Sequence, residues 1–578
     1  MVREKSKLHP GTAQAVQPKH DGLLNDNDEF AEPPCRSLRA AQQLKVAPPD
    51  TESETHSWTA LAALIRACSA LTDLHYDVSR PLDQTLLDAL QSSTCRLHLD
   101  TFFFRDGSRL GTLHPQDLSI LMYDRLQSLK TRSLGYKVDG SEDYTYEAAI
   151  DLLSNISPHL KHLSFIVHSI GARANMTSHL KSRKARRPWT GFTGAPRAGP
   201  IPAAGLKTVE IYGNEPISPL LLSNIFNLCN VSTLEVLKLR LPFNHKFLAN
   251  LASNGPLPSL KTLVLGDDFP RFPDEDLADD STATAFLGSL QPLEAVRFVS
   301  AINESLSAVT LRTHGFQLKR LWFDQPHSDS DFIFDLKRVE ELQRACPLLE
   351  ELSLTIPRSG GDAIETAIYE TLGALRRLSR LALKLHCDDP DLHMARRDSD
   401  TTPTRSDFDD FDRRLAGRDH TFKDNHWHRP CNGQLRIAML NNAVDKDLAC
   451  AIFRKIARSK PGLHDDYALS RLEVRPIGQF YTYGSPEVML QLRKWWLVEA
   501  DFKGRASATR IRSPGDVIEA SRGQYHGLDA CMDPSVRTVF RKIWPERSEV
   551  WAKDMGGVEV QGSWAEDWKS VKLHGELG

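Results

Sequence analysis

The chain has 578 residues, and its 72 lysines and arginines nearly balance its 75 aspartates and glutamates, giving a formal net charge of −3. This balance argues against a protein that coats nucleic acid, and no apolar run reaches the roughly 18–20 residues that cross a bilayer. The nine cysteines form no CxxC pair and the first residues lack a secretory apolar core. We therefore expect reduced thiols and a cytoplasmic or nuclear location.

Residues 1–56 are rich in Pro, Asp, Gln and Lys. Such a composition cannot bury enough apolar surface to fold, so it predicts a disordered N-terminal tail.

A short phrase, L-x-x-L-x-L with some aromatic or β-branched replacements, recurs through residues 57–475. From Leu206 to Leu378 its spacing is 25–33 residues, near the 20–29 of leucine-rich repeats. Clear copies begin at Leu71, Thr94, Leu160, Leu206, Leu234, Leu260, Leu293, Leu318, Leu349 and Leu378. Weaker copies are predicted near Leu126 and Leu129, around Leu435-x-Ile437, and at Leu469-x-x-Leu472-x-Val474.

Each phrase predicts a short strand whose leucines face one way, and the rest of the period contains helix-like apolar spacing. One such unit cannot bury its leucines alone, whereas stacked units share a core. The sequence therefore predicts an α/β fold: a horseshoe-like leucine-rich-repeat solenoid of about eleven to thirteen irregular units. Its disordered segments are the tail and two insertions, residues 171–205 and 388–431.

The first insertion, residues 171–205, contains seven basic residues and no acidic one, together with several Gly and Pro. Its uncompensated charge is typical of a nuclear-import or nucleic-acid-binding segment. A solvated loop explains the same composition, and both interpretations stay open.

The second insertion, residues 388–431, is acidic and then rich in histidine. Its aspartates, which predict solvated disorder, include Asp407, Asp409, Asp410 and Asp412. Four side chains near its end could in principle bind zinc: His420, His426, His428 and Cys431. Their spacing matches no common zinc module, so we predict no metal and no cofactor.

Residues 476–578 carry six of the ten tryptophans. Apolar residues from Val488 to Leu497, including Trp495 and Trp496, predict a helix that caps the open end of the solenoid, because an uncapped end would expose leucines. A tryptophan-lined peptide groove is the alternative.

Two stretches carry a resemblance to a known family. The first is Ser57-Trp58-Thr59-Ala60-Leu61, continuing through Leu71-Thr-Asp-Leu74-His-Tyr76 and Cys95-Arg-Leu97-His-Leu99; the second is Phe540-Arg-Lys-Ile543-Trp544-Pro545 with Trp564-Ala-Glu-Asp567-Trp568. Over roughly residues 57–570 the chain resembles filamentous-fungal F-box and leucine-rich-repeat proteins. The resemblance implies a substrate receptor of a cullin-type ubiquitin ligase, whose F-box docks a Skp-type adaptor while the repeats hold the substrate.

The chain departs from this family at its N-terminus. An F-box opens with a phrase like Leu-Pro-x-Glu-Ile/Leu and continues for some 40–50 residues, and residues 1–56 contain nothing like it. Docking of the adaptor therefore cannot be carried over, whereas recognition by the repeats can.

No catalytic motif is evident, because GxSxG, Walker A and strand-associated GxGxxG phrases are all absent. His386-Cys387 could suggest a thiol nucleophile, but no third orienting group is identifiable, which favours a buried structural cysteine. We predict that the chain is not an enzyme.

Residues between the inward leucines should lie on the concave surface of a solenoid, where partners usually bind. From residue 238 onward these positions are mostly basic, with Trp322 as an aromatic anchor, and Arg and Trp dominate binding hot spots. The predicted partner-binding residues are Lys238, Arg240, Arg297, Arg320, Trp322, Arg380, Lys384, Arg436 and Arg471. The alternative is that many of these side chains pair with neighbouring acids and form an ordinary mixed surface.

The sequence thus predicts a non-enzymatic scaffold for a protein partner that is acidic or phosphorylated. The open alternatives are regulation of an enzyme such as a small GTPase, and binding of nucleic acid or metal through the insertions.

Overall fold

The structure is a computed structural model, and it describes part of the chain. The described residues are 51–78, 81–102, 104, 114–133, 144–153, 159–167, 205–213, 225–226, 230–240, 248–249, 251–252, 257–266, 280–299, 303–324, 332–388, 405–415, 430–461, 468–478, 486–500, 506–511, 534–545, 552–553, 559–560 and 568–575. They fall into two compact units. The first contains 51–299 and 305–314, and the second contains 303–304 and 315–575.

The first unit alternates strands with helices. Its strands are β1 (Asp73–Tyr76), β2 (Arg96–Phe102), β3 (Leu126–Ser133), β4 (His162–Val167), β5 (Thr208–Gly213), β6 (Val236–Arg240), β7 (Thr262–Gly266) and β8 (Ala295–Phe298). Its helices are α1 (Thr51–Ala67), α2 (Gln84–Gln91), α3 (Pro115–Leu121), α4 (Thr145–Leu153), α5 (Asp280–Ser289) and α6 (Glu304–His314).

Strands β1 to β8 pair in chain order, and each of these pairings is parallel. The repeated phrase sets their register, since Leu237 of β6 lies opposite Leu263 of β7, which lies opposite Val296 of β8. These three side chains are fully buried. Because strand side chains alternate between faces, the apolar positions of successive phrases stack into one core.

Short-range signals position the helices between the strands. In α2, the Asp83 carboxylate accepts a hydrogen bond from the Thr85 backbone N–H at 2.8 Å, which satisfies one of the free amides of the first turn. The helix then buries Leu86, Leu87 and Leu90, so its apolar stripe faces the core.

The second unit has the same alternation and a different ending. Its strands are β9 (Arg320–Phe323), β10 (Glu351–Pro357), β11 (Arg380–His386), β12 (Arg471–Ile477), β13 (Trp495–Ala500) and β14 (Ala506–Ile511), with the separate two-residue strands β15 (Ala552–Lys553) and β16 (Glu559–Val560). Its helices are α7 (Leu336–Ala345), α8 (Ala363–Gly373), α9 (Asn432–Asn442), α10 (Lys446–Arg458), α11 (Pro486–Leu492) and α12 (Pro534–Ile543). Strands β9 to β12 are parallel, whereas β13 and β14 are antiparallel to their neighbours.

Helices α9, α11 and α12 share one apolar cluster in the second unit. Leu435 and Met439 of α9, Met489 of α11, and Val539 and Phe540 of α12 are all fully buried in it. Residues from the predicted C-terminal cap thus pack on α9, which precedes the last parallel strand. Strand β12 runs through the boundary predicted between residues 475 and 476.

Three local predictions are wrong. The weak copy at Leu435-x-Ile437 is part of α9, because Leu435, Ala438 and Met439 follow helical spacing. Helix α1 begins at Thr51, inside the segment predicted to be a disordered tail.

The third error is the helix predicted from residue 488 to residue 497. It ends at Leu492, and Trp495 and Trp496 lie in β13. The β-propensity of consecutive aromatic and branched residues, Trp-Trp-Leu-Val, prevails once β12 offers an edge to pair with.

The predicted α/β class is confirmed, and the parallel strands in chain order are compatible with stacked strand–helix units. Assignment to the leucine-rich-repeat class stays a prediction. Residues 1–50 and 171–204 lie outside the described residues. None of the described helices combines the length and apolar character needed to cross a membrane.

Candidate partner-binding face

Five strands of the second unit present alternate side chains on the side opposite their leucine core. We call this surface the second-unit face. It consists of Arg320 and Trp322 of β9, Glu351, Ser353 and Thr355 of β10, Arg380, Ala382 and Lys384 of β11, Arg471, Glu473 and Arg475 of β12, and Trp495, Leu497 and Glu499 of β13. Five of the predicted partner-binding residues belong to this face: Arg320 and Trp322 on β9, Arg380 and Lys384 on β11, and Arg471 on β12.

Charged residues form one row across this face. In register order the row is Arg320, Glu351, Arg380, Arg471 and Glu499. Arg380 donates from Nη1 to the Glu351 carboxylate at 2.9 Å, and the arginine side chain is 46% exposed. Neighbouring strands lie about 4.8 Å apart, so the row offers charges at regular spacing to an extended partner.

Arg471 differs from the other cations of the second-unit face. Among the described residues it forms no ion pair, and its buried Nε has no hydrogen-bond partner. Its register neighbours are Arg380 on one side and Glu499 on the other. Arg471 is therefore not held in an ion pair, and the cation beside it is also an arginine.

A second row contains the aromatic position predicted from the sequence. Trp322 is only 6% exposed and packs against Ala382. Glu473, in the same row, is 1% exposed and pairs with Arg475. Trp322 thus lies within the face and presents little surface to a partner.

The remaining polar contacts of the face link residues that are distant in sequence. Asp324, directly after β9, accepts from Lys384 Nζ at 2.9 Å and from the Ser353 hydroxyl at 3.2 Å. The Arg475 guanidinium lies 4.7 Å from the ring centroid of Trp495, a distance suited to a cation–π contact. Trp495 was missed as a face residue because the sequence suggested a helix there.

The three predicted cations of the first unit are buried. Lys238 pairs with Glu210 at 2.7 Å, its register neighbour on β5. Arg240 is 4% exposed and lies 5.8 Å from the Tyr212 ring centroid. Arg297 is 3% exposed. These positions therefore supply little free positive charge, as the mixed-surface alternative expected.

The predicted placement of Arg436 is wrong. The residue lies in α9, and its guanidinium makes two hydrogen bonds to Asp412, at 3.2 Å and 2.6 Å. Asp412 is 3% exposed and belongs to a described turn, residues 405–415, so it is not the solvated aspartate that its composition suggested. This bidentate pair attaches the turn to α9.

The first strands carry an acidic and histidine-rich patch. The rings of His75 and His98 stack at 4.2 Å between centroids. Asp73 accepts from Arg96 Nη2 at 2.6 Å and lies 3.0 Å from His98 Nε2, and these hydrogen bonds hold the pKa of Asp73 far below its usual range. A third histidine, His162 of β4, lies opposite Ser128 on β3. The patch is thus internally paired.

The candidate thiol, Cys387 directly after β11, lies in surroundings that disfavour its reactive form. The Cys387 thiol is fully buried and donates weakly to the carbonyl oxygens of Leu385 and Asn441, at 3.2 Å and 3.3 Å. Burial raises its pKa to about 12, so the reactive thiolate is scarce at neutral pH. Its neighbour His386 lies 3.8 Å from Asp388 and is also buried.

Three of the four proposed zinc ligands, His420, His426 and His428, lie outside the described residues. Cys431 is described and precedes the first residue of α9, where its backbone N–H donates to the Gln434 side chain at 3.0 Å. Within the described part of the chain, no group of three or more His, Cys, Asp or Glu side chains is arranged to hold a metal ion.

No protein-family model matches the chain, and no curated protein matches it.

Proposed function

We propose that the chain is a non-enzymatic recognition scaffold that binds a protein partner on the second-unit face. The observation that carries this proposal is the register of five neighbouring strands, which aligns Arg320, Glu351, Arg380, Arg471 and Glu499 into one continuous row. An extended array of charges at fixed spacing can be matched by complementary charges on a partner.

Ion pairs formed by the cations of this face indicate which type of partner it can bind. Because Arg380 and Lys384 already contact Glu351 and Asp324, the face is mixed rather than uniformly basic. Mixed charge contributes to specificity and orientation more than to raw affinity. We therefore propose a partner with alternating charges, in place of the acidic or phosphorylated partner that the sequence suggested.

Aromatic area is available beside the row. The ring of Trp495 is half-buried and contacts Arg475 on the neighbouring strand. Tryptophan and arginine are enriched among residues that carry binding energy. This pair is the feature of the face best suited to anchor a partner's apolar side chain.

The resemblance to F-box and leucine-rich-repeat proteins extends this proposal to a substrate receptor in ubiquitin ligation. The residues that would dock a Skp-type adaptor were not recognised in the sequence. Co-purification of such an adaptor and a cullin with the protein supports this extension. If another partner co-purifies while the adaptor and cullin are absent, the extension is rejected and the proposal of a recognition scaffold remains.

The test is quantitative capture of tagged full-length protein from its native cells, comparing wild type with Arg380→Glu and Trp495→Ala. Arg413→Glu is the matched control, since Arg413 lies off the face, is 47% exposed and also pairs with an acid, Asp410. We expect at least one co-purifying protein to fall about tenfold with each face variant and to be retained by the control. Equal recovery with all four proteins would contradict the proposal.

A further inference from the structure

Arg471 and Arg380 lie side by side on β12 and β11, in direct register. Neighbouring strands place the backbones of such residues about 4.8 Å apart, and like charges on directly opposite residues are destabilising. Both arginines lie on the same side of the sheet, because the next residue on each strand, Leu381 or Leu472, is fully buried on the opposite side.

The acids around this pair leave one guanidinium without a counter-charge. Glu351 Oε1 accepts from Nη1 of Arg380. Glu499 lies in register with Arg471 across the antiparallel pairing, yet among the described residues no ion pair joins them. The Nε of Arg471 is buried without a hydrogen-bond partner. A buried donor of this kind is destabilising when it stays unsatisfied.

From this geometry we infer that Arg471 and Arg380 form an anion-recognition pair for a carboxylate or phosphate group on the partner. An arginine presents a planar fork of donors that matches both groups in a bidentate manner. A bound anion would neutralise the repulsion between the two arginines. This inference rests on the proposed function and names the chemical group that the partner contributes.

The probes are three immobilised degenerate peptide libraries that differ at one fixed central position, which is glutamate, phosphoserine or serine. Full-length wild-type protein is compared with Arg471→Gln and with Arg471→Lys, which keeps the charge and loses the fork. Arg413→Gln removes an equally charged arginine away from the face and serves as the control. Thermal unfolding of each variant checks that the fold is kept.

We expect wild type to be retained about tenfold more by the glutamate or the phosphoserine library than by the serine library. Arg471→Gln should abolish this preference, Arg471→Lys should reduce it, and Arg413→Gln should leave it unchanged. A preference for phosphoserine identifies a phosphate as the group, and a preference for glutamate identifies a carboxylate. Equal retention by all three libraries, or an unchanged preference in Arg471→Gln, overturns the inference.

Native-cell capture with Arg471→Gln separates this inference from the proposed function. If Trp495→Ala and Arg380→Glu lose a partner that Arg471→Gln retains, and the libraries show no anion preference, the anion-recognition pair is rejected and the second-unit face remains the binding surface. If no face variant changes the captured proteins, the proposed function itself fails.

Discussion

Arg358 and Glu365 form an ion pair in which both side chains are fully buried. The same carboxylate accepts hydrogen bonds from the backbone N–H groups of Ser359 and Gly361, at 2.8 Å and 2.9 Å, and from the Tyr369 hydroxyl at 2.7 Å. Burial and the adjacent carboxylate raise the pKa of Tyr369 well above its usual range, so the hydroxyl remains a donor. This cluster joins the end of β10 to the first turns of α8.

Replacing Glu365 with Gln should destabilise the second unit by about 3–5 kcal/mol, because it leaves a buried arginine without its counter-charge. Glu370→Gln is the control on the same helix, since Glu370 is half exposed in its pair with Lys455 and its replacement should cost below about 1 kcal/mol. The loss of stability in each variant is measured by urea unfolding, with hydrogen exchange in α8 as the observed signal. Similar costs for the two variants would show that the buried pair contributes no more than a surface one.

The turn before α8 contains two consecutive glycines in the left-handed region, Gly360 at φ +70° and Gly361 at φ +78°. A Cβ at Gly361 would lie 2.8 Å from the carbonyl oxygen of Lys572, whereas at Gly360 the nearest atom, on Asn441, is 4.0 Å away. The described C-terminal segment therefore packs closely against only one of them. Its His574 N–H also donates to the Gly361 carbonyl at 2.7 Å.

We expect Gly360→Ala to cost about 1–2 kcal/mol through backbone strain alone. Gly361→Ala should add to this cost and displace residues 568–575, since the carbonyl of Lys572 cannot stay in place. Amide hydrogen exchange of those residues should therefore rise in Gly361→Ala and stay near wild type in Gly360→Ala. Identical exchange in the two variants would exclude the contact as the cause.

His314, the last residue of α6, is fully buried, and burial lowers its pKa to about 4. In the unfolded chain the imidazole of His314 becomes protonated near its ordinary pKa of about 6.5, whereas in the folded protein it stays neutral down to about pH 4. The folded state therefore loses stability relative to the unfolded state as the pH falls from about 6.5 toward 4. By this linkage, stability at pH 5 should be about 2 kcal/mol below that at pH 7.

The measurement is the difference in pH dependence of urea unfolding between wild type and His314→Leu. Subtracting the variant removes the contribution of the carboxylates, which titrate in both proteins. If the two curves run parallel from pH 7 to pH 5, His314 does not titrate differently in the folded and unfolded states.

Cysteine labelling should follow burial. Cys68 is exposed, whereas Cys346 and Cys387 are fully buried and burial raises the pKa of each to about 12. Iodoacetamide at pH 8 should therefore label Cys68 at least about 100-fold faster than the other two in the native protein. Mass spectrometry of labelled peptides gives the rates. Rapid native labelling of Cys387 would reopen its interpretation as a nucleophile.

Strand positions were predictable because their signal is local. In L-x-x-L-x-L the two-residue alternation selects which side chains turn inward, and strands lie at Leu352–Leu354 and Leu381–Leu383 as that alternation indicates. The same local reading misplaced Leu435 and Trp495, because a short apolar run is compatible with both a helix and a strand.

The charge of the face was not predictable in the same way. Basic residues at alternate strand positions in the sequence suggest a positive surface. The net charge of that surface depends on which acidic residues lie beside them after folding. Lys384 meets Asp324 from 60 residues away, and Arg436 meets Asp412 only because α9 packs against a turn.

The sequence by itself therefore determined the α/β class and most of the parallel strands, since these follow from apolar spacing within a few residues. Only the tertiary structure decided which cations are neutralised, which are buried, and that Arg471 stands beside Arg380 without forming an ion pair among the described residues. The physical reason is that a charge acts on its neighbours in space at a few ångströms, and strand register brings together residues separated by 91 positions in the chain, as it does Arg380 and Arg471.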